Sequence, residues 1–341
     1  MSRETQAWLD NNILVGMTDR FGSAWHRKSG VDAQGRPNHF PAEVPMDRVR
    51  ELLDVRFSPR RVYVDMGELG LVEDVDRRAW VRDGTTEIAE IHSEGYAGHQ
   101  YHQVLIRNTE QILGEGLVIA GAGRLRRCTI GYVQVEMPEN RHAAGGVVFR
   151  PWLMATTSFD GSIATTYKRG FTKVVCDNTR ALALSERGES YRIRHTRNSE
   201  VRISEARHAL AVINEMADAF AAEVEQLLRV EVTDRQWRQF VEAHAPIKAN
   251  ASPRSVSMAE KKRNDLTRLW TRDYRVQPWA GTSYGVVQAV NTYVHHLGTV
   301  RGANRVERNM IRAVTGEIES LDRATLTLLG TVMDRNLAAA A

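Results

Sequence analysis

The chain has 341 residues, of which 42% are hydrophobic and 26% are charged, and it carries a formal net charge of +4. This composition is typical of a globular protein without low-complexity tracts. No apolar run approaches the ~20 residues that a membrane-spanning helix needs, and the polar N-terminus lacks the apolar core of a signal peptide. The two cysteines, Cys128 and Cys176, are too few for a disulfide framework, so we expect a reduced, cytoplasmic protein.

Positive charge is concentrated in two segments. Residues 168–207 hold ten Lys and Arg against five acidic residues, and residues 248–275 hold eight against three, which gives each segment a net charge of +5. Because the whole chain carries +4, the remainder carries −6. This asymmetry indicates a polyanionic partner, with solvated basic faces balanced by acidic neighbours as the alternative.

The first 203 residues are predicted to be rich in strands. Prolines interrupt residues 1–60 and leave room for one amphipathic helix between Pro45 and Pro59. Strand patterns begin near residue 60, and the segment 101–113 is predicted as a short strand followed by a helix capped at Asn108. Residues 116–138 and 145–176 are rich in Val, Ile, Thr and aromatic residues, a composition that predicts an antiparallel meander.

Residues 204–341 are predicted to be helical. Ser204 and Thr233 are suitable N-caps for two amphipathic helices, and the small polar stretch 247–258 predicts a mobile linker. Further helices are predicted at about 258–273, 283–297, 303–314 and 320–337. The predicted fold class is α+β: an antiparallel β-meander with one or two helices over 1–203, followed by an all-helical half over 204–341.

The stretch VVCDNTRALAL, residues 174–184, predicts a buried strand that meets a helix N-terminus. Asp177, Asn178 and Thr179 are suitable capping residues, and Cys176 is then a small buried residue beside them. Free N–H groups at a helix N-terminus attract anions. The cations around this N-terminus are Lys168, Arg169, Lys173 and Arg180.

Three stretches of the chain, SFDGSIATTYKRGFTKVVCDNTRALAL, RIRHT and GTSYGVVQAVNTYVHH, resemble the phage/plasmid-like protein family, a domain-of-unknown-function family of mobile elements. The resemblance covers about residues 25–315. The family's core motifs match Asp160, Gly161, Cys176, Asn178, Thr179, His195 and Thr196. It implies a phage, prophage or plasmid gene of a bacterial host cell, in a DNA-metabolism or anti-restriction neighbourhood, but no established reaction. The order of strands and helices is also similar to that of phage single-strand annealing proteins, at the level of fold only.

Catalytic groups are sparse in the sequence. Glu90, His92, Glu94, His99 and His102 have the chemistry of metal ligands, but their spacing matches no metal motif, and we expect a polar loop. Asp160 and Asp177 could hold magnesium, although a turn and a helix cap explain them equally well. Cys176 and His195 would form a nucleophile–base pair only if their side chains met. No phosphate-binding glycine loop is present, so we expect no cofactor and no metal.

The sequence instead favours binding of single-stranded DNA, because cations follow the backbone of a single strand and rings stack on its bases. The predicted phosphate contacts are Lys168, Arg169, Lys173, Arg180, Arg192, Arg194 and Arg197, with Lys261, Lys262 and Arg263 as an auxiliary arm. Tyr167 and Tyr191 are the stacking candidates because cations flank them.

The leading hypothesis is a non-enzymatic, mobile-element DNA-metabolism protein that binds single-stranded DNA non-specifically through its basic segments. As a homo-oligomer it would anneal or protect strands in recombination, without a membrane partner. One alternative is a metal-dependent enzyme acting on nucleic acid through Asp160, Asp177 or the three histidines. The other is an anti-defence factor whose basic segments contact an acidic protein.

Overall fold

A computed structural model describes residues 13–17, 35–113, 116–173, 179–180, 190–193, 213–300, 305–334 and 337. The strands are β1 (Ile13–Met17), β2 (His39–Phe40), β3 (Phe57–Asp65), β4 (Leu71–Arg82), β5 (Ile88–Ser93), β6 (Val118–Leu125), β7 (Ile130–Glu136), β8 (Arg141–Ala143), β9 (Val147–Ser158), β10 (Thr165–Lys173), β11 (Thr179–Arg180) and β12 (Ser190–Ile193). The helices are α1 (Met46–Leu52), α2 (Arg107–Leu113), α3 (Ile213–Arg229), α4 (Asp234–His244), α5 (Pro253–Arg272), α6 (Ser283–Thr292), α7 (Arg305–Thr315) and α8 (Glu317–Met333). A sheet region followed by a helical half confirms the predicted α+β class.

Two sheets are formed by the described strands. The larger has nine strands in the order β11-β10-β9-β7-β6-β1-β2, with β12 also paired to β10 and β8 to β9. The smaller has the order β3-β4-β5. Strands β6, β7 and β9 pair antiparallel in succession, as the meander prediction requires, whereas β1 and β2 are parallel.

Strands β6 and β7 illustrate why the sequence forms a buried sheet. Their residues are apolar or small at nearly every position, and nearly all of them are buried. Continuous apolar runs of this length are typical of strands that are covered on both faces. The pairing runs from Val118 with Glu136 to Leu125 with Ile130.

The helical half packs around stacked tryptophans. The rings of Trp237 in α4 and Trp270 in α5 lie 4.2 Å apart and nearly parallel. Helix α4 begins at Thr233 with a capping box completed by Gln236, which confirms the predicted cap. In α6, a Cβ atom on Gly285 would approach the Trp279 carbonyl oxygen to 2.1 Å, so only glycine permits this contact.

Three predicted elements differ from the structure. Thr179 and Arg180, predicted to lie at a helix N-terminus, form strand β11 and pair with β10, so that prediction is wrong for these two residues. Residues 253–258 begin helix α5, capped by Ser252 with Pro253 in the first turn, so the prediction of a linker over 247–258 is wrong for that part. Residues 101–113 are helical throughout, with a π-helical turn at His102–Ile106 before α2. The Asn108 side chain donates back to the Val104 carbonyl rather than capping a helix.

The chain divides into two compact units. The first comprises residues 1–138, 152–169 and 190–212, and the second comprises residues 139–151, 170–189 and 213–341. Segments 139–151 and 170–189 therefore group with the helical half, although the sequence placed them in the β-rich part. In the part of the chain that the structure describes, no helix is long and apolar enough to cross a bilayer.

Candidate functional site

The first predicted contacts, Tyr167 and Lys168, are buried. Their exposed fractions are 3% and 2%, because β10 lies between β9 and β12 and successive side chains point to opposite, covered faces of the sheet. The Tyr167 hydroxyl bonds with Asn108 and donates to the Val104 carbonyl at 2.9 Å. Neither residue can reach a nucleic-acid strand at the surface, so both assignments are wrong.

The other cations of the first segment within the described part of the chain lie in strands. Arg169 and Lys173 lie in β10, Arg180 in β11 and Arg192 in β12, beside the second stacking candidate, Tyr191. The backbone register places Tyr191 opposite Tyr167, and Arg192 opposite Thr166. The predicted residues outside the described part of the chain are Arg194, Arg197, Cys176, Asp177, Asn178, His195 and Thr196.

In the second segment, two of the three predicted contacts bond with backbone. Lys262 donates to the His244 carbonyl at 3.4 Å, and Arg263 donates through Nε to the Ala245 carbonyl at 2.9 Å. These carbonyls end helix α4, where cations also interact favourably with the helix dipole. Burial lowers the pKa of Lys262. Both cations therefore stabilise the junction of α4 and α5 while remaining half-exposed, and their contact with phosphate stays a prediction.

The opposite face of α5 is cationic and exposed. Leu266, Leu269 and Trp270 bury the inner face of the helix. At ~100° per residue, Arg254, Lys261, Arg268 and Arg272 fall within about 40° of one another on the outer face. All four are exposed, with 72% of the Lys261 side chain and 61% of the Arg268 side chain accessible. At ~1.5 Å per residue, this cationic face is about 27 Å long.

The cationic face includes one acid, and an exposed aromatic residue follows α5 in the chain. Asp265 lies between two of the cations, 2.6 Å from Lys261 Nζ and 3.4 Å from Arg268 Nη2. Such exposed ion pairs are weak and exchange readily with other anions. Beyond the helix, the Tyr274 side chain is 68% exposed, and Arg275 lies 5.7 Å from the ring centroid. Cations beside an open ring can hold a backbone while a base stacks.

Sequence reasoning missed the cationic face for an identifiable reason. Arg254, Lys261 and Arg268 recur every seven residues, and helical phase would have shown their common side. Because the linker was predicted to extend to residue 258, Arg254 was not assigned to the helix.

The three histidines proposed as metal ligands contact different partners. His92 Nε2 lies 2.9 Å from the Phe159 carbonyl, and its ring stacks on Tyr96. His99 is buried, with Nδ1 2.5 Å from the Thr165 hydroxyl, whereas His102 is exposed. Among the residues that the structure describes, no group of three or more His, Cys, Asp or Glu side chains could hold a metal ion.

Asp160, from the family motif, stabilises a turn. Its carboxylate accepts from the Ser162 amide at 3.0 Å and from the Thr129 hydroxyl at 3.1 Å, and Arg126 lies 3.6 Å away. Gly161 follows with φ of 69°, a conformation that favours glycine. Asp160 therefore has the structural role that its Asp-Gly pair indicates.

A left-handed turn joins β6 to β7 and was not predicted. Arg126, Arg127 and Cys128 have φ values of 48°, 56° and 68°, which are uncommon for residues other than glycine. The turn is held by Thr129, whose amide and hydroxyl both donate to the Arg126 carbonyl, and by the Tyr101 hydroxyl, which donates to the Cys128 carbonyl at 2.6 Å. It leaves Arg127 exposed beside a cavity of about 380 Å³.

Comparison with known proteins identifies a family. No curated protein and no solved structure matches the chain. The model of the family described as Domain of unknown function (DUF932) matches residues 89–315, which is more than half of the chain. This match spans the sheet strands from β6 onward and the helices as far as α7. The chain therefore belongs to the DUF932 family.

Proposed function

We propose that the protein binds single-stranded DNA non-specifically, through phosphate contacts on the cationic face of α5. The observation that carries this proposal is the alignment of Arg254, Lys261, Arg268 and Arg272 on one exposed face. Cations at the surface bind a polyanion by releasing its condensed counterions. The predicted contact Lys168 is buried, and Lys262 and Arg263 are half-buried and donate to backbone carbonyls.

The exposed ring of Tyr274 adds a stacking surface to this face. Among the aromatic residues of the two basic segments whose side chains are described, Tyr167, Phe171 and Trp270 are buried. Base stacking tolerates any sequence because every base has a π-face, so Tyr274 suits a binder without sequence preference. The motifs shared with the phage/plasmid-like family support a role in the DNA metabolism of a mobile element.

The first test measures how binding depends on salt. With four phosphate contacts, the plot of log affinity against log salt concentration for a single strand should have a slope of about −2.8. Changing Arg254, Arg268 and Arg272 together to Gln should leave one contact and a slope of about −0.7. The measurement is fluorescence anisotropy of a labelled oligodeoxythymidylate over a range of salt concentrations.

A charge-matched control separates specific placement from overall charge. Arg107, Arg238 and Arg323 are exposed on α2, α4 and α8, and their change to Gln removes the same charge. The control should keep the wild-type slope. Equal slopes in both triple variants, or no binding by the wild type at low salt, would reject α5 as the interface.

A second prediction concerns Tyr274. Its change to Ala should weaken binding by about 1–3 kcal/mol, the range for a lost base stack, without changing the salt slope, because no phosphate contact is removed. Tyr274→Phe, which retains the ring, should bind like the wild type. An affinity that Tyr274→Ala leaves unaltered would remove the ring from the site.

A further inference from the structure

The hairpin of β3 and β4 is extended and apolar on its surface. Of the twelve large hydrophobic side chains that are exposed among the described residues, nine lie on β3, β4, β5 or the β3–β4 turn. Seven of these lie within residues 62–76, here called the acidic hairpin: Tyr63, Val64, Met66, Leu69, Leu71, Val72 and Val75. Exposed apolar surface of this kind marks a site of protein association.

The acidic hairpin has little support from the rest of its sheet. Strand β5 pairs with β4 only from Arg77 to Val81, so residues 62–76 form a two-stranded extension beyond the bulge at Arg61/Val62. A two-stranded hairpin by itself is only marginally stable in water. A partner that covers its apolar side chains would stabilise it.

Charge indicates what this partner carries. Residues 62–76 contain five acids and no Lys or Arg. Glu73 and Asp74 lie near arginines at the base of the hairpin, at 3.4 Å from Arg61 and 3.7 Å from Arg77. Asp65, Glu68 and Asp76 are exposed. Two such hairpins placed together would repel, so the complementary surface is basic with some apolar area.

We propose that the acidic hairpin of one chain docks on the cationic face of α5 in a second copy. That face presents four cations, and Met258, 52% exposed, lies beside them as an apolar contact. Both surfaces are exposed, with Leu69 79% and Lys261 72% accessible, so each is open to a second molecule. Two different surfaces meet in this contact, which therefore builds a ring or an open chain of copies.

A charge exchange tests this contact in full-length, nuclease-treated protein. In the hairpin variant, the three exposed acids Asp65, Glu68 and Asp76 are changed to Lys, which turns the net charge of residues 62–76 from −5 to +1. In the helix variant, Arg268 and Arg272 are changed to Glu. Sedimentation velocity should show wild-type protein whose mass rises above the monomer with concentration, and each variant alone should remain monomeric because its two surfaces then carry like charges.

An equimolar mixture of the two variants should assemble again, because each reversed surface then meets an opposite one. The chain that carries all five changes should also self-associate, because its hairpin is then positive and its α5 face negative. Recovery on mixing shows that the variants are folded. A monomeric wild type, a variant that assembles alone, or a mixture that stays monomeric would each overturn the proposal. Since no nucleic acid is present, these outcomes are independent of the DNA-binding measurements, although both use the same face of α5.

Discussion

At the scale of single residues, two buried histidines make the stability of the fold depend on pH. His99 is 4% exposed with Nδ1 2.5 Å from the Thr165 hydroxyl, and His295 is 2% exposed with Nδ1 2.9 Å from the Asn291 carbonyl. Burial lowers the pKa of each to about 4, from the ordinary value of 6.5. Between these values, the unfolded chain binds protons that the folded chain excludes.

The resulting prediction is a loss of stability in acid. These groups should not affect the free energy of unfolding above pH 6.5. As the pH decreases from 6.5 to 4, the free energy of unfolding should fall by up to about 1.4 kcal/mol per pH unit for each histidine. Changing His295 to Gln should reduce this slope. Urea unfolding at several pH values measures the slope, and an identical slope in the wild type and the variant would contradict the assignment.

At the scale of elements, α5 has two basic sides with different roles. Its inner flank caps α4 through Lys262 and Arg263, and its outer face carries the proposed phosphate contacts. Changing Arg263 to Ala should lower the free energy of unfolding by about 1–2 kcal/mol, because a charged donor to the Ala245 carbonyl is lost. The same change at Lys261 should cost less than about 0.5 kcal/mol, since its ion pair is exposed.

Thermal unfolding of the two variants distinguishes these roles. DNA binding should follow the opposite order, with Lys261→Ala affected more than Arg263→Ala. An Arg263 variant as stable as the wild type would show that the cap is dispensable.

At the scale of the whole molecule, opposite charges lie on separate elements. The acidic hairpin and the cationic face of α5 belong to different compact units, and both are exposed. The net charge of +4 indicates neither surface, because their opposite charges largely cancel in the sum. Both proposed associations, with a polyanion and with another copy of the chain, use the same helix, and the salt titration and the charge exchange measure them separately.

The sequence by itself determined the α+β class, the meander of β6, β7 and β9, and the cap at Thr233, because side-chain periodicity and capping chemistry act between residues close in the chain. It also located positive charge in 248–275. Only the tertiary structure decided which cations remain at the surface. Lys168 is only 2% exposed, and Arg263 is engaged because the end of α4 lies beside it. Burial depends on neighbours that are distant in the chain, and no local pattern records them.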